Sequence, residues 1–310
     1  MVIKHSPFSL LPEAESAYQQ WRDWKLSVYP KKAEELLVSV NNPFELTEKE
    51  KSEMMACFIR ANMAIYTINN RSDFGDKKIV EYLGQNFGLK RLDNNLGADS
   101  DNITSLQVIE GGRKQGYIPY SNLKLSWHSD GYYNLPEEQI WGIILHCVNS
   151  AAEGGENALL DHEMMYIHLR DHDPDYISAL MNKDVLTIPP NIENGVEIRC
   201  AQTGPVFSVD EKSGVLHMRY SARKRNIIWA DDGITKNAVD AIDDFLASDS
   251  PWILRHRLEP GQGLICNNVL HNRTAFENDE GAHQRLIYRG RYYDRIENTT
   301  FTDTAKIMSQ

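Results

Sequence analysis

The chain has 310 residues, of which 41% are hydrophobic and 25% are charged, and its formal net charge is −11. This composition is ordinary for a globular protein, while the acidic balance argues against a general nucleic-acid or anionic-membrane surface, since both need clustered basic residues. No apolar run approaches the ~20 residues that span a bilayer, and the first residues lack the apolar core of a signal peptide, so we expect a cytoplasmic protein.

The first 95 residues are predicted to be helical. Apolar residues recur at helical spacing over 13–28, and a third helix is expected over 76–87. Thr47 and Glu50 form a capping box that begins the second helix. The apolar stripe of this second helix is predicted to contain Met54, Phe58, Ala61, Ile65 and Ile68. These helices are expected to pack around the outside of a separate core.

After residue 100, short β-rich segments separated by turns predominate. The predicted strands are Ser105–Ile109, Asn122–Ser126, Ile140–Val148, Val185–Ile188, Val196–Arg199, Val206–Val209, Val215–Tyr220, Ile253–Leu258, Gly263–Asn267 and Gln284–Tyr293. Two helices interrupt them, over 161–170 and 235–247. Many short strands with few helices indicate a mainly β fold with flanking helices, built on a double-stranded β-helix (jelly-roll) core. We expect a single domain over residues 1–310, with a helical N-terminal part at 1–95 and the jelly-roll core at 100–295.

A metal-binding pattern lies in the segment Trp127-His128-Ser129-Asp130-Gly131. Residues i and i+2 of a strand point to the same face, so His128 and Asp130 can bind one metal ion. His271, at the end of a predicted strand that follows a Pro-Gly turn, can complete the set. Two histidines and one carboxylate with open coordination positions suit a non-haem iron(II) oxygenase. A His-x-Asp pair is common by chance, so a structural role for His128 and Asp130 is the alternative.

Two arginines share one face of the last predicted strand, Arg285 and Arg289. Burial of two guanidinium groups in an apolar core would cost free energy of folding unless an anion pairs with them. The pair therefore predicts a binding site for a dicarboxylate. An exposed edge strand is the alternative.

The segments WHSDG, PGQGLICNNVLHNR and RLIYRGR, in this order, resemble the taurine dioxygenase and clavaminate synthase-like group of iron(II)/2-oxoglutarate-dependent oxygenases. The resemblance extends from about residue 105 to residue 293. It implies that His128, Asp130 and His271 bind iron and that Arg285 binds the far carboxylate of 2-oxoglutarate. It also implies that Arg289 contacts the co-substrate or an anionic group of the substrate.

Asn157 follows the turn Gly154-Gly155-Glu156, where members of this group usually have a threonine that hydrogen-bonds 2-oxoglutarate. An amide can still donate a hydrogen bond, so Asn157 is a candidate co-substrate ligand, with a simple tight turn as the alternative. Halogenating members lack the metal-binding carboxylate, so the presence of Asp130 favours hydroxylation or another oxidation.

Candidate substrate contacts lie near the metal motif and in one basic segment. Tyr132 and Tyr133 follow the motif, and Arg219 and Arg223 belong to the basic cluster at 217–225. The arginines are suited to a substrate carboxylate. Core packing for the tyrosines and a solvated loop for the arginines are the alternatives.

A second histidine pair offers a competing metal site. His168 and His172 have the i, i+4 spacing with which two imidazoles on a helix can share a zinc ion, as in a zinc hydrolase. The pattern lacks the glutamate of the His-Glu-x-x-His motif and its surroundings are polar, so a solvated helix end is favoured. Asp161 is predicted to be the N-cap of this helix.

The sequence thus predicts a 2-oxoglutarate-dependent dioxygenase that uses iron(II) and O2. We expect it to hydroxylate an unactivated C–H bond of a small polar substrate, an amino acid or other carboxylate, with release of succinate and CO2. A non-catalytic jelly-roll protein that binds a metal or ligand is the alternative. The expected partner is a small molecule rather than nucleic acid or a membrane. The sequence leaves open whether the protein forms a homo-oligomer. The four cysteines are scattered along the sequence, which predicts that they are buried free thiols. They are Cys57, Cys147, Cys200 and Cys266.

Overall fold

The computed structural model describes residues 6–69, 75–94, 99–111, 117–279 and 284–308. The α-helices in these ranges are α1 (Glu15–Val28), α2 (Glu48–Ala61), α3 (Lys78–Asn86), α4 (His162–His172), α5 (Pro174–Leu180), α6 (Gly233–Ala247) and α7 (Phe301–Met308). The strands are β1 (Leu37–Val40), β2 (Met63–Ile68), β3 (Thr104–Leu106), β4 (Leu125–His128), β5 (Gly142–Asn149), β6 (Glu153–Gly154), β7 (Asn157–Leu160), β8 (Leu186–Ile188), β9 (Asn191–Glu193), β10 (Val196–Arg199), β11 (Gln202–Gly204), β12 (Phe207–Val209), β13 (Leu216–Met218), β14 (Ile228–Trp229), β15 (Leu254–His256), β16 (Gln262–Cys266), β17 (Leu270–Arg273), β18 (Phe276–Glu277) and β19 (Leu286–Tyr292).

Two sheets form the centre of this mixed helix and strand fold. One has six strands in the order β1-β2-β16-β5-β19-β3, and the other has four in the order β15-β7-β17-β4. Ile65 and Leu264 from the first sheet and Leu159 from the second line one small cavity of about 10 Å³. The two sheets therefore meet across a tightly packed, largely apolar interior. The chain passes from the first sheet to the second at residues 267–269, between β16 and β17.

The prediction of one long second helix is wrong beyond Ala61. Asn62 has a positive φ of 56° and its N–H bonds to the carbonyl of Phe58, which ends α2. The next residues form β2, which pairs with β1 and β16, so Ile65 and Ile68 belong to a strand. The N-terminal part is consequently not only helical, because two of its strands extend the six-stranded sheet.

Helices α1, α3, α4 and α6 lie close to their predicted ranges, whereas α5 and α7 have no counterpart among the predicted elements. The capping box is confirmed, since the Thr47 hydroxyl accepts from the Glu50 N–H and the Glu50 carboxylate accepts from the Thr47 N–H. In α1 the residues Tyr18, Trp21 and Lys25 are buried, and the ring of Phe8 packs edge-on against Trp21. The buried face of α1 therefore includes a lysine, which the spacing of apolar residues does not predict.

Among the described helices none has the length and apolar character needed to cross a membrane. All four cysteines are free, as expected, and Cys57, Cys147 and Cys266 are buried. The expectation of burial is wrong for Cys200, which is exposed because it directly follows the solvent-exposed β9–β10 hairpin.

Candidate metal centre

Three side chains from two separate parts of the chain converge at one end of the four-stranded sheet. His128 ends β4 and lies opposite His271 of β17 in the antiparallel register, with ring centroids 4.3 Å apart. Asp130 lies two residues beyond β4, and its Oδ1 is 3.4 Å from Nε2 of His128. One ligand atom of each residue lies within 4.8 Å of the other two, and all three residues are buried. This spacing suits a single metal ion.

Backbone carbonyls fix the orientation of both imidazoles. Nδ1 of His128 is 2.9 Å from the carbonyl oxygen of Ser126, and Nδ1 of His271 is 2.9 Å from that of Val269. A carbonyl oxygen only accepts, so we infer that each Nδ1 is protonated and each Nε2 keeps its lone pair. Such hydrogen bonds from the far nitrogen are typical of metal-binding histidines.

The electrostatic surroundings favour the protonation states that metal binding needs. Burial alone would raise the pKa of Asp130, but the nearby charge of Arg289 outweighs it and holds that pKa well below its usual range. Burial lowers the pKa of His271 to about 4, assisted by the nearby His128. An ionised carboxylate and a neutral imidazole at neutral pH fit a divalent metal ion.

The two predicted arginines are both buried, with Arg289 in β19 and Arg285 directly before that strand. Arg289 contacts Asp130, with Nη1 3.2 Å from Oδ2. Arg285 lies over the ring of Phe276, 5.0 Å from its centroid, and burial lowers its pKa to about 10. No carboxylate of the described residues forms an ion pair with Arg285. Its charge, still present at neutral pH, is therefore available to an anion.

Asn157 is the first residue of β7 and its side chain borders the interior cavity between the two sheets. Its Nδ2 donates to the carbonyl oxygen of Asn272, 2.9 Å away. This bond uses one of the two amide protons, so a contact with 2-oxoglutarate stays a prediction.

A family model described as "Taurine catabolism dioxygenase TauD, TfdA family" matches residues 37–290 of the chain. The chain belongs to this family. The match begins at β1, well before the segments that carried the resemblance in sequence, and ends within β19.

Individual relatives resemble parts of this TauD, TfdA family member. A uridine-5'-phosphate dioxygenase from Amycolatopsis sp is 33% identical over 166 residues, which cover 52% of this chain and 58% of that protein. The chain thus spans less than two thirds of the length of that curated relative. A uridine-5'-phosphate dioxygenase from Streptomyces sp is 28% identical over 206 residues, covering 63% of this chain and 70% of that protein.

A solved asparagine oxygenase, in complex with Fe(II), 2S,3S-3-hydroxyasparagine and succinate, has a similar fold. Its TM-score is 0.57 at 12% identity, with 83% of this chain and 93% of that chain covered. At this identity the likeness shows a shared fold only.

The predicted substrate residues of this family member fall into two groups. Tyr132 and Tyr133 pack edge-on at 5.1 Å beside the metal motif, and the exposed Arg223 donates to the Tyr132 hydroxyl at 2.8 Å. Arg219 is different, because its buried guanidinium donates to the backbone carbonyls of four residues and has a structural role. These are Tyr132, Leu186, Gln202 and Gly204. These bonds occupy the guanidinium of Arg219, and a contact with the substrate stays a prediction.

The competing histidine pair does not converge on a metal site in the described residues. The ring of His168 packs against Phe245 at 4.3 Å, and His172 stacks on Tyr176 at 5.5 Å. Both histidines line an open surface groove of about 490 Å³ between α4 and α6. Asp161 is the N-cap of α4, as expected, because its side chain accepts from the Glu163 N–H.

Sequence reasoning missed two buried residues at the site. Arg291 bonds the Tyr133 hydroxyl at 2.8 Å and pairs with Asp93 at 2.8 Å. The period of two from Arg285 through Arg289 would have included Arg291. Asn268 hydrogen-bonds the main chain of Asp130, and no signal in its sequence context points to that contact.

Proposed function

We propose that the chain is an iron(II)- and 2-oxoglutarate-dependent oxygenase in which His128, Asp130 and His271 bind the iron. The convergence of their ligand atoms within 4.8 Å is the observation that supports this most directly. The donor set, two imidazole nitrogens and one carboxylate oxygen, is that of non-haem iron(II) oxygenases. We further propose that the two facing sheets form a jelly-roll core and that the whole chain is a single domain.

Arg285 is proposed to bind the far carboxylate of 2-oxoglutarate. Its guanidinium is buried, charged at neutral pH and without a carboxylate partner in the described part of the chain. A Cβ added at Gly155 would lie 3.5 Å from Nε of Arg285, so this glycine keeps the space beside the guanidinium open. Burying a cation without such a partner is costly, and a bound anion would offset that cost.

When bound, iron(II) and 2-oxoglutarate supply the oxidising chemistry, with 2-oxoglutarate converted to succinate and CO2. The protein residues position the reactants and exclude water. Arg289 neutralises the carboxylate of Asp130, and the Tyr132 and Tyr133 rings, which pack edge-on, are proposed to line the substrate site. Membership in a dioxygenase family favours this enzyme over a non-catalytic binding protein.

The substrate is proposed to be a small polar molecule with an anionic group. The exposed guanidinium of Arg223 lies beside these tyrosines, where its Nη1 donates to the Tyr132 hydroxyl. An amino acid fits this chemistry and is the type of molecule in the structure of the asparagine oxygenase. A nucleoside 5'-phosphate is the second candidate, favoured by the two curated relatives, because a guanidinium also pairs with phosphate.

Succinate release from 2-oxoglutarate tests the reaction. Purified protein with iron(II), ascorbate and air should release succinate, and the correct substrate should accelerate it. Amino acids and nucleoside 5'-phosphates are screened in parallel, and stimulation by one class alone identifies the substrate type. A protein that releases no succinate with any of them, or one in which His271→Ala has no effect, contradicts the proposal.

Arg285→Met should weaken 2-oxoglutarate binding far more than metal binding. Loss of a charged hydrogen bond costs about 1.5–3 kcal/mol, or roughly a 10- to 150-fold weaker affinity. The measurement is the anaerobic charge-transfer band of the iron(II) and 2-oxoglutarate complex, titrated with each ligand. Arg257→Met is the matched control, because that guanidinium donates to the carbonyl of Ala151. Equal losses of metal and 2-oxoglutarate affinity would remove Arg285 from this role.

A further inference from the structure

Asn268 is buried in the corner where the chain passes from β16 to β17, and its side chain makes three short hydrogen bonds. Its Oδ1 accepts from the N–H of Asp130 at 2.8 Å. Its Nδ2 donates to the carbonyl oxygens of Asp130 at 2.9 Å and Ile140 at 2.7 Å. The partners of Asn268 in these three bonds are all main-chain groups, two of Asp130 and one of Ile140.

These bonds replace a strand partner that Asp130 lacks. His128 pairs with His271, but β4 ends there and Asp130 lies beyond the ladder. In an antiparallel pair, two residues can exchange both N–H···O bonds. The carboxamide of Asn268 has the same donor and acceptor as a peptide group, so it makes both bonds to Asp130 that an opposing residue would make.

The backbone at this corner requires an unusual conformation. Asn268 has a φ of +49°, a left-handed region that asparagine and glycine adopt more readily than other residues. Through its bond to the Ile140 carbonyl, Asn268 also contacts the end of the loop that begins at Gly131. A Cβ at Gly131 would lie 2.5 Å from the Ile140 side chain, so the loop packs closely against itself.

We propose that Asn268 is a positioning residue for the metal centre. It fixes the main chain of Asp130 so that the carboxylate meets the two imidazoles at one point. This inference rests on the proposed function, because it assigns Asp130 to the metal. Removal of outer contacts to metal ligands typically weakens metal affinity 10- to 100-fold.

The test compares Asn268→Gly with Asn62→Gly. Both residues are buried asparagines with positive φ, so glycine removes the amide in each case without straining the backbone. Asn62, however, bonds outside the metal motif: its side chain donates to the carboxylate of Asp161 and accepts from Nδ2 of Asn267 at 3.0 Å. The probe is cobalt(II) alone, titrated into the full chain and followed by its visible absorption, with circular dichroism to confirm folding.

Asn268→Gly is expected to bind cobalt(II) 10- to 100-fold more weakly than wild type, with an altered absorption spectrum. Asn62→Gly should lose stability but retain wild-type cobalt affinity and spectrum. Should Asn268→Gly not fold, Asn268→Asp serves instead, since it keeps the acceptor and the backbone conformation but lacks the two N–H donors.

A folded Asn268 variant with wild-type cobalt affinity and spectrum overturns the inference while leaving the proposed function intact. An equal loss of affinity in Asn62→Gly also overturns it, because the effect would then reflect stability alone. Wild-type protein that binds no cobalt(II) overturns the proposed function and this inference together.

Discussion

Gly263 of β16 lies where a side-chain hydrogen bond crosses the six-stranded sheet. Tyr66 and His146 come from the strands on either side, in register with Gly263, and Tyr66 Oη is 2.8 Å from His146 Nδ1. Both side chains are fully buried. A Cβ on Gly263 would lie 2.3 Å from the Tyr66 ring and 2.4 Å from the carbonyl oxygen of Leu145. The crossing therefore depends on the absence of a side chain at this position.

Gly263→Ala should destabilise the protein by about 1–3 kcal/mol, because overpacking a buried site forces neighbouring atoms to move. The measurement is the free energy of unfolding from urea titration. Gly233→Ala is the control, since an added Cβ at this first residue of α6 meets nothing within 4 Å. The control should be neutral or slightly stabilising, as alanine favours helix. Equal effects at both sites would show that the close approach to Tyr66 costs nothing.

The candidate metal ligands could be predicted from sequence because their chemistry is local. His128 and Asp130 have a spacing of two residues, and His271 follows a recognisable buried segment. Asn268 could not be predicted, because its function depends on a left-handed corner and on where Asp130 leaves the ladder. The contacts of Arg219 could not be predicted either, because its acceptors are main-chain carbonyls of three segments that are distant in sequence.

At the level of single elements, the N-terminus of α2 depends on the buried carboxylate of Glu50. This group accepts hydrogen bonds from the main-chain N–H groups of Asn41 and Thr47 and from both of their side chains. Burial alone would raise the pKa of Glu50, but these hydrogen bonds lower it below its ordinary value of 4.5. The ionised carboxylate therefore joins the helix to the loop that follows β1.

A lowered pKa in the folded state makes stability depend on pH. The ionised Glu50 contributes stability above its unfolded pKa, and this contribution is lost as the pH falls through the folded value. Between about pH 6 and about pH 3, wild type should thus lose more free energy of unfolding than Glu50→Gln. The difference between the two proteins should be largest near neutral pH. Glu48→Gln is the control, because the Glu48 side chain is 92% exposed, and a pH dependence equal to that of Glu50→Gln would contradict the assignment.

Element boundaries were predictable where local signals are strong, as in α2, whose start is set by the capping box at Thr47. Its end was misplaced because the apolar residues of β2 continue a helical spacing by coincidence. The pairing of β2 with β1 and β16 decides between strand and helix there. Short strands such as β7 were missed because four buried residues have too little periodicity to be recognised.

At the level of the whole molecule, the N-terminal part and the core are joined by a buried cluster of charges. Lys25 of α1 lies 2.7 Å from Asp161 and 2.5 Å from Glu163, and its side chain is completely buried. Burial alone would lower the pKa of Lys25, but the two carboxylates raise it, so the lysine is charged. Asp161 directly follows β7, which pairs with β17, so α1 is connected to the strand that contains His271.

Lys25→Met should therefore destabilise the whole protein by about 3–5 kcal/mol, because it leaves two buried carboxylates without their cation. Arg22→Met is the matched control on the same helix. Arg22 pairs with Asp171 at 2.6 Å, but the two side chains are 28% and 31% exposed, so its loss should cost about 0–1 kcal/mol. Urea unfolding followed by circular dichroism and by tryptophan fluorescence measures both. Because the cluster links the two parts, the two probes should report a single transition in wild type. Equal losses in the two variants would show that the buried cluster contributes no more than the exposed pair. Separate transitions would mean that α1 unfolds independently of the sheets.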